Sequence, residues 1–239
     1  MKFKKAKIIV KDKNKKKLVN FFKILDYFKI NDLTANHASI MSSNKKGFFI
    51  NQHKYLFSQV NEKNLVYVSL DDEFANKYSS INKAGFYIHK YIHNSTFRPM
   101  AILHTHSENS VAISCLKEGF NEKLNQSSMR FFKRIEYLDY TSMVIDEKIA
   151  SKLSNLIKEN TKIIILKNHG SIIFGKSIEE LFHLTFHFEK CCKIQLLTKN
   201  QGKIHKVSNK IAKLTCDQHE GFGSVGRMSW NASRKLIKD

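Results

Sequence analysis

The chain has 239 residues, 42% hydrophobic and 11% aromatic, enough to bury a core and too many for a disordered tail. Its formal net charge is +20, but the excess is lysine scattered along the chain with no aromatic-interleaved basic motif, which argues for a solvated surface over a nucleic-acid face. No apolar run reaches the roughly 20 residues of a membrane span, and the basic start lacks a signal-like apolar centre, so a soluble, cytoplasmic chain is expected.

Four cysteines (Cys115, Cys191, Cys192 and Cys216) show no metal-knuckle spacing and are expected as reduced core residues. The single proline, Pro99, and the lack of a Gly/Ser-rich linker before residue 200 point to one continuous domain.

In chain order, KKKLVNFFKILDYFKI sets Leu18, Phe21, Phe22, Leu25 and Phe28 on one helical stripe. Short β-like runs follow, HASIM, GFFIN, YLFSQV and NLVYVSL, punctuated by Gly, Asn and Lys as hairpin turns would be. AGFYIHKYIHN returns to a helical pattern, and RPMAILHTH reads as a strand beginning after Pro99. SVAISCLKEG predicts a helix closed by Gly119, and IDEKIASKLSNLIKEN another with Asp146 as N-cap. TKIIILKNHGSIIFGKS makes two apolar runs flanking KNHG. SIEELFHLTFHFEKCCKIQLLTKN predicts a long helix with Ser177 as cap and Glu180 as its capping-box partner. The remainder is polar and basic, with MSWNASRKLI suggesting a terminal helix. This order suggests a mostly antiparallel sheet covered by helices.

In AILHTHSENS, His104 and His106 stand two apart at the end of an apolar run. On a strand such side chains share a face and can converge on one point. A third histidine, His169, precedes Gly170 between the apolar runs of KNHGSIIFG. Taken alone, the H-x-H pair fits a structural role as well as a metal site. His183, His187, His205 and His219 carry no assigned role.

The combination is more specific. HTHS after a strand, then KNHG before G-x-S-x-E-E and a long helix carrying Glu189, Cys192 and Gln195, resembles the class II aldolase/adducin family. TANHAS, INKAGFYIHKYIHNSTFRPMAILHTH and LFHLTFHFEKCCKIQL extend the resemblance over about residues 15–200. That leaves a basic segment at 1–14 and a basic C-terminal extension over 201–239. The resemblance implies an α/β/α sandwich around a mainly antiparallel sheet, assembled as a homo-oligomer, a tetramer in the family, with active sites near subunit interfaces. It also implies a Zn²⁺ ion, or another divalent metal, on His104, His106 and His169. Three neutral imidazoles hold zinc without cancelling its charge and leave a position open. A small-molecule carbonyl substrate with an adjacent hydroxyl would chelate there and be polarised by a Lewis acid.

The aldolases of the family carry a glutamate in the helix before H-x-H, and its position here is Gly85. Replacement acid/base candidates are Glu108, Tyr140 and His89. The family's phosphate-binding positions fall on Asn36, His37, His53, Lys54, Lys83 and Ala84, without the usual cradle of small residues. His37, His53 and Lys83 are the substrate-binding candidates, and His37 and His89 also stand as pocket-lining residues. N-H-x-S and G-F-x-I-H resemble the adducin-like branch. Two readings follow: a zinc-dependent lyase or isomerase of a small, sugar phosphate-like hydroxy-carbonyl compound, or a non-catalytic module that binds an acidic protein partner such as an actin filament.

Overall fold

The computed structural model describes residues 12–141 and 147–237. The first described element is helix α1 (Lys13–Tyr27), capped by Asp12, whose carboxylate accepts from the Asn14 amide. Strands β1 (His37–Met41), β2 (Gly47–Asn51) and β3 (Leu65–Ser69) form an antiparallel meander. Helix α2 (Lys83–His93), strand β4 (Ala101–Thr105) and the short helix α3 (Glu108–Ser114) follow. Then come β5 (Ile135–Leu138), α4 (Glu147–Leu156), β6 (Ile163–Leu166), β7 (Gly170–Gly175), α5 (Ile178–Thr198), α6 (Asn209–Gly221) and α7 (Ser224–Ser233).

The seven strands lie in the order β3-β2-β1-β4-β7-β6-β5. All pairings are antiparallel except β5 with β6. The strands alternate between two cores. Ala38 and Ile40 of β1 and Ala101 and Leu103 of β4 pack with α1 and α5, around the buried Phe21, Phe22 and Phe188. Ile102 of β4 and Ile172 and Phe174 of β7 face α2 and α4 instead, and Met41 and Phe48 continue that face against Phe86. The result is an α/β/α sandwich with a mostly antiparallel sheet, as the sequence order suggests.

Several segments depart from the sequence pattern. YLFSQV is not a strand: Phe57–Gln59 forms a 3₁₀ turn. The Gln59 side chain accepts from the Leu56 amide, and Phe57 drops onto Phe22, ring centroids 4.7 Å apart. The helix expected to reach Gly119 ends at Ser114, whose carbonyl accepts from Asn168 N. Gly119 instead sits at φ +64° in a turn, with the Tyr137 ring where a Cβ would go. Ser177 caps α5 by accepting from Glu180 N. The Glu180 carboxylate goes to Lys176 N and to Lys162 Nζ, so the cap is one-sided. The Asp146 cap lies outside the described residues. The last forty residues hold two helices: α6 presses Ala212 and Cys216 onto Met129 and Phe132, and α7 inserts Trp230 against Phe182. Among the described residues no helix is long and apolar enough to cross a membrane.

Candidate metal centre

β1 and β4 pair with His37 opposite His104, so both rings project to the α2 side at one end of the sheet. β7 begins at that same end, opposite Thr105. His169 is the last residue of the tight turn that delivers it, with Asn168 in the left-handed region at φ +57°, a conformation asparagine tolerates. The following Gly170 has φ +154°, and a Cβ there would lie 2.5 Å from the Thr105 carbonyl and 3.2 Å from the His106 ring. Only glycine lets the turn approach this closely. The His-Gly motif is thus a packing requirement that brings His169 to the H-x-H pair.

The Nε2 atom of His106 lies 2.9 Å from Nε2 of His104 and 3.0 Å from Nε2 of His169. Their orientation carries more information than their distance. His104 Nδ1 faces the Ser171 carbonyl at 3.2 Å, and a carbonyl only accepts, so the proton is on Nδ1. His106 Nδ1 faces the Asp32 carboxylate at 3.2 Å, which fixes the same tautomer. In the neutral rings, both Nε2 atoms then present bare lone pairs to each other at hydrogen-bond distance, with no proton between them. A cation relieves that repulsion. Tetrahedral zinc with Zn–N of about 2.0–2.1 Å needs nitrogens roughly 3.3 Å apart, a small spreading of what the rings already do. Burial, then the neighbouring imidazoles, hold the His104 pKa well below 6.5. The same two causes lower His169 to about 4. The residues fit a metal.

A fourth imidazole stands beside these three. His37 lies 4.9 Å from His104, centroid to centroid, and begins a buried chain of hydrogen bonds into α2. His37 Nδ1 meets His89 Nε2 at 2.8 Å, His89 Nδ1 meets Ser39 Oγ at 2.5 Å, and Ser39 Oγ meets His93 Nε2 at 2.7 Å. His93 Nδ1 ends on the Pro99 carbonyl at 2.9 Å. That terminal carbonyl must accept, so His93 donates from Nδ1 and accepts at Nε2 from the Ser39 hydroxyl. Ser39 then accepts from His89 Nδ1–H, and His89 Nε2 accepts from His37 Nδ1–H. One backbone oxygen therefore fixes every proton in the row. His37 Nε2 is left unprotonated and has no hydrogen-bond partner among the described residues.

Gly85 explains the absent glutamate position. A Cβ at Gly85 would sit 3.1–3.2 Å from three atoms of the His37 ring, so the imidazole occupies the room a longer side chain would enter. Gly85→Glu alone is expected to push His37 off His89 and cost about 1–3 kcal/mol of stability. Pairing it with His37→Asn should recover much of that loss, as thermal melts of the two variants would show.

The remaining candidates spread out. His89 is fully buried in the row just described. Glu108 is exposed in the first turn of α3. Tyr140, 54% exposed, lies past the end of the edge strand β5. Neither has a hydrogen bond to the cluster. His53 is exposed on the β2–β3 connection, and Lys83 at the start of α2 lies 6.0 Å from the Phe74 ring centroid. Sequence reasoning missed Asp32, Ser39, Asn36 as a positioning group (its Oδ1 takes the His106 amide) and the Ser171 carbonyl. Glu189 proves to be a strut: its carboxylate accepts from Ser107 Oγ and Asn109 Nδ2, both at 2.6 Å, pinning the segment after His106 to α5.

Comparison with known proteins agrees with this architecture. Residues 16–196 match the family described as the Class II Aldolase and Adducin N-terminal domain. The chain belongs to that family. It is 28% identical over 186 residues to alpha-adducin of Rattus norvegicus, covering 76% of this chain and 25% of the adducin. The chain thus spans about a quarter of the length of that relative. Among solved structures, an aldolase II superfamily protein from Pseudomonas syringae superposes with a TM-score of 0.82 at 26% identity, covering 92% of this chain and 90% of the other. An L-fuculose 1-phosphate aldolase from Glaciozyma antarctica gives 0.75 at 25% identity, covering 93% and 87%.

Proposed function

We propose that His104, His106 and His169 hold a divalent metal, zinc by their donor set, and that the chain is a lyase or isomerase of a small hydroxy-carbonyl compound. The facing lone pairs on His104 and His106 Nε2 carry this reading, and the likeness to an L-fuculose 1-phosphate aldolase supports the reaction class. The metal would supply Lewis-acid polarisation of a carbonyl oxygen. The protein supplies the rest. Asp32 and the Ser171 carbonyl hold the two rings in register. His37 Nε2, next to Gly85, offers a lone pair that accepts a hydrogen bond from a substrate hydroxyl at the place where the family glutamate would act. Assembly as a homo-oligomer in the cytoplasm belongs to the same proposal.

Zinc-loaded protein is expected to cleave at least one member of a panel of hydroxy-aldehydes and ketose phosphates, with activity lost to a chelator and restored by zinc. The second reading, an interaction module for an acidic protein partner such as a filament, draws on Gly85 and on the adducin likeness. Silence across the panel together with saturable filament co-sedimentation would replace the first reading with the second.

A further inference from the structure

β7 leads away from the imidazole cluster. Its six residues carry the chain to Gly175, two residues before the Ser177 cap of α5. At roughly 3.3 Å per residue that is on the order of 20 Å. Here a cavity of about 430 Å³ opens between α5, the α6–α7 junction and the segment carrying Arg130. Its lining includes Arg130, His183, Lys176 and Arg227 together with Gly223 and Gly226.

Three independent features of this cavity lack a counterpart. Arg130 makes no side-chain hydrogen bond or ion pair with any described residue, and its Nε is sealed from solvent. Arg130 is only partly exposed, and a sealed N–H without a partner is costly, so a native structure needs a reason to keep one. His183 is 7% exposed and its Nε2 is also without a partner. The ten-residue helix α7 starts from Gly223 with no side-chain cap and no acidic residue in its first turn; the Val225 amide turns back to the Phe222 carbonyl, and the positive dipole end with Gly223 and Gly226 meets the same cavity.

The carboxylates that also line the space do not answer these cations. Glu179 is held by Lys17 at 2.9 Å, Glu180 by Lys162 at 2.7 Å, and Glu220 by Arg134. Lys176 and Arg227 form no ion pair among the described residues. What remains is a guanidinium fork, an imidazole nitrogen and a helix N-terminus, the donor set that recognises a tetrahedral oxyanion.

We infer that the cavity between α5, α6 and α7 binds the phosphate group of a small molecule, on Arg130, His183 and the N-terminus of α7. The site is separate from the imidazole cluster and too far from it for one small ligand to span both.

The test uses the full chain treated with chelator, so that no phosphate response arises at a metal, and titrates inorganic phosphate and pyrophosphate against chloride at matched ionic strength. Expected is a saturable rise in melting temperature and broadening of the ³¹P resonance, unchanged in His106→Ala. Arg130→Met should melt higher than wild type without phosphate, because it removes the unpartnered Nε–H, and should lose the phosphate response. Arg227→Ala, at the exposed rim, should bind about tenfold more weakly. A wild-type response no larger than that to chloride overturns the inference, as does a full response in Arg130→Met.

Discussion

His106→Ala protein, purified in parallel with wild type, is expected to carry no zinc above background, whereas wild type holds about one ion per chain. The expectation follows from position. His106 Nε2 is the atom within 3.0 Å of both other ligand nitrogens, so its removal leaves two donors and no enclosed site. Asp32→Asn is the graded companion. It keeps the ring but weakens the acceptor that sets its tautomer, and should lower zinc affinity about 10–100-fold. Plasma emission spectrometry of dialysed samples gives both numbers. Equal occupancy in His106→Ala and wild type would end the assignment of these three histidines.

Acid is expected to unfold metal-free protein at a pH where most carboxylates are still ionised. The cause is the row of buried neutral rings between β1 and α2. Burial lowers His93 from 6.5 to about 3, and lowers His37 and His89 well below 6.5. In each case the unfolded chain binds a proton that the folded chain refuses. Stability is therefore intact above pH 6.5, falls as pH drops through the unfolded value, and levels off only below the folded one. For His93 alone the loss at about pH 5 is about 2 kcal/mol, and His37 and His89 act in the same direction. Urea melts at about pH 7.5 and about pH 5 in the presence of chelator would read it. A midpoint that does not move between those conditions would show that the rings are already protonated in the fold.

The two halves of the fold were unequally legible. HASIM and GFFIN announce β1 and β2 to the residue, and NLVYVSL announces β3, because each sits between turn residues and is packed on both faces. Helix α6 gave no such signal. Its buried positions are only Ala212 and Cys216, too thin an apolar stripe to stand out from a basic helix. The three cluster histidines were visible as an H-x-H pair and a His-Gly turn. Their acceptors were not: Asp32 sits in an irregular loop, and the Ser171 group is a backbone carbonyl that any residue would supply. The row through Ser39 and His93 depends on how β1 lies across α2, which no local pattern encodes. His89 and His93, four apart on one helix face, were the visible trace of it.

Trp230 is the chain's one tryptophan, 3% exposed and seated edge-on to Phe182 of α5 with ring centroids 5.9 Å apart. Its ultraviolet emission thus comes from a single joint, where the final helix clasps the body of the domain. An engineered chain cut at residue 200 would lose its tryptophan emission and keep only that of its tyrosines, and would leave that aromatic socket on α5 bare to water. Any shortened version made for crystallisation or display has to retain the segment through Ser233 to keep the socket filled.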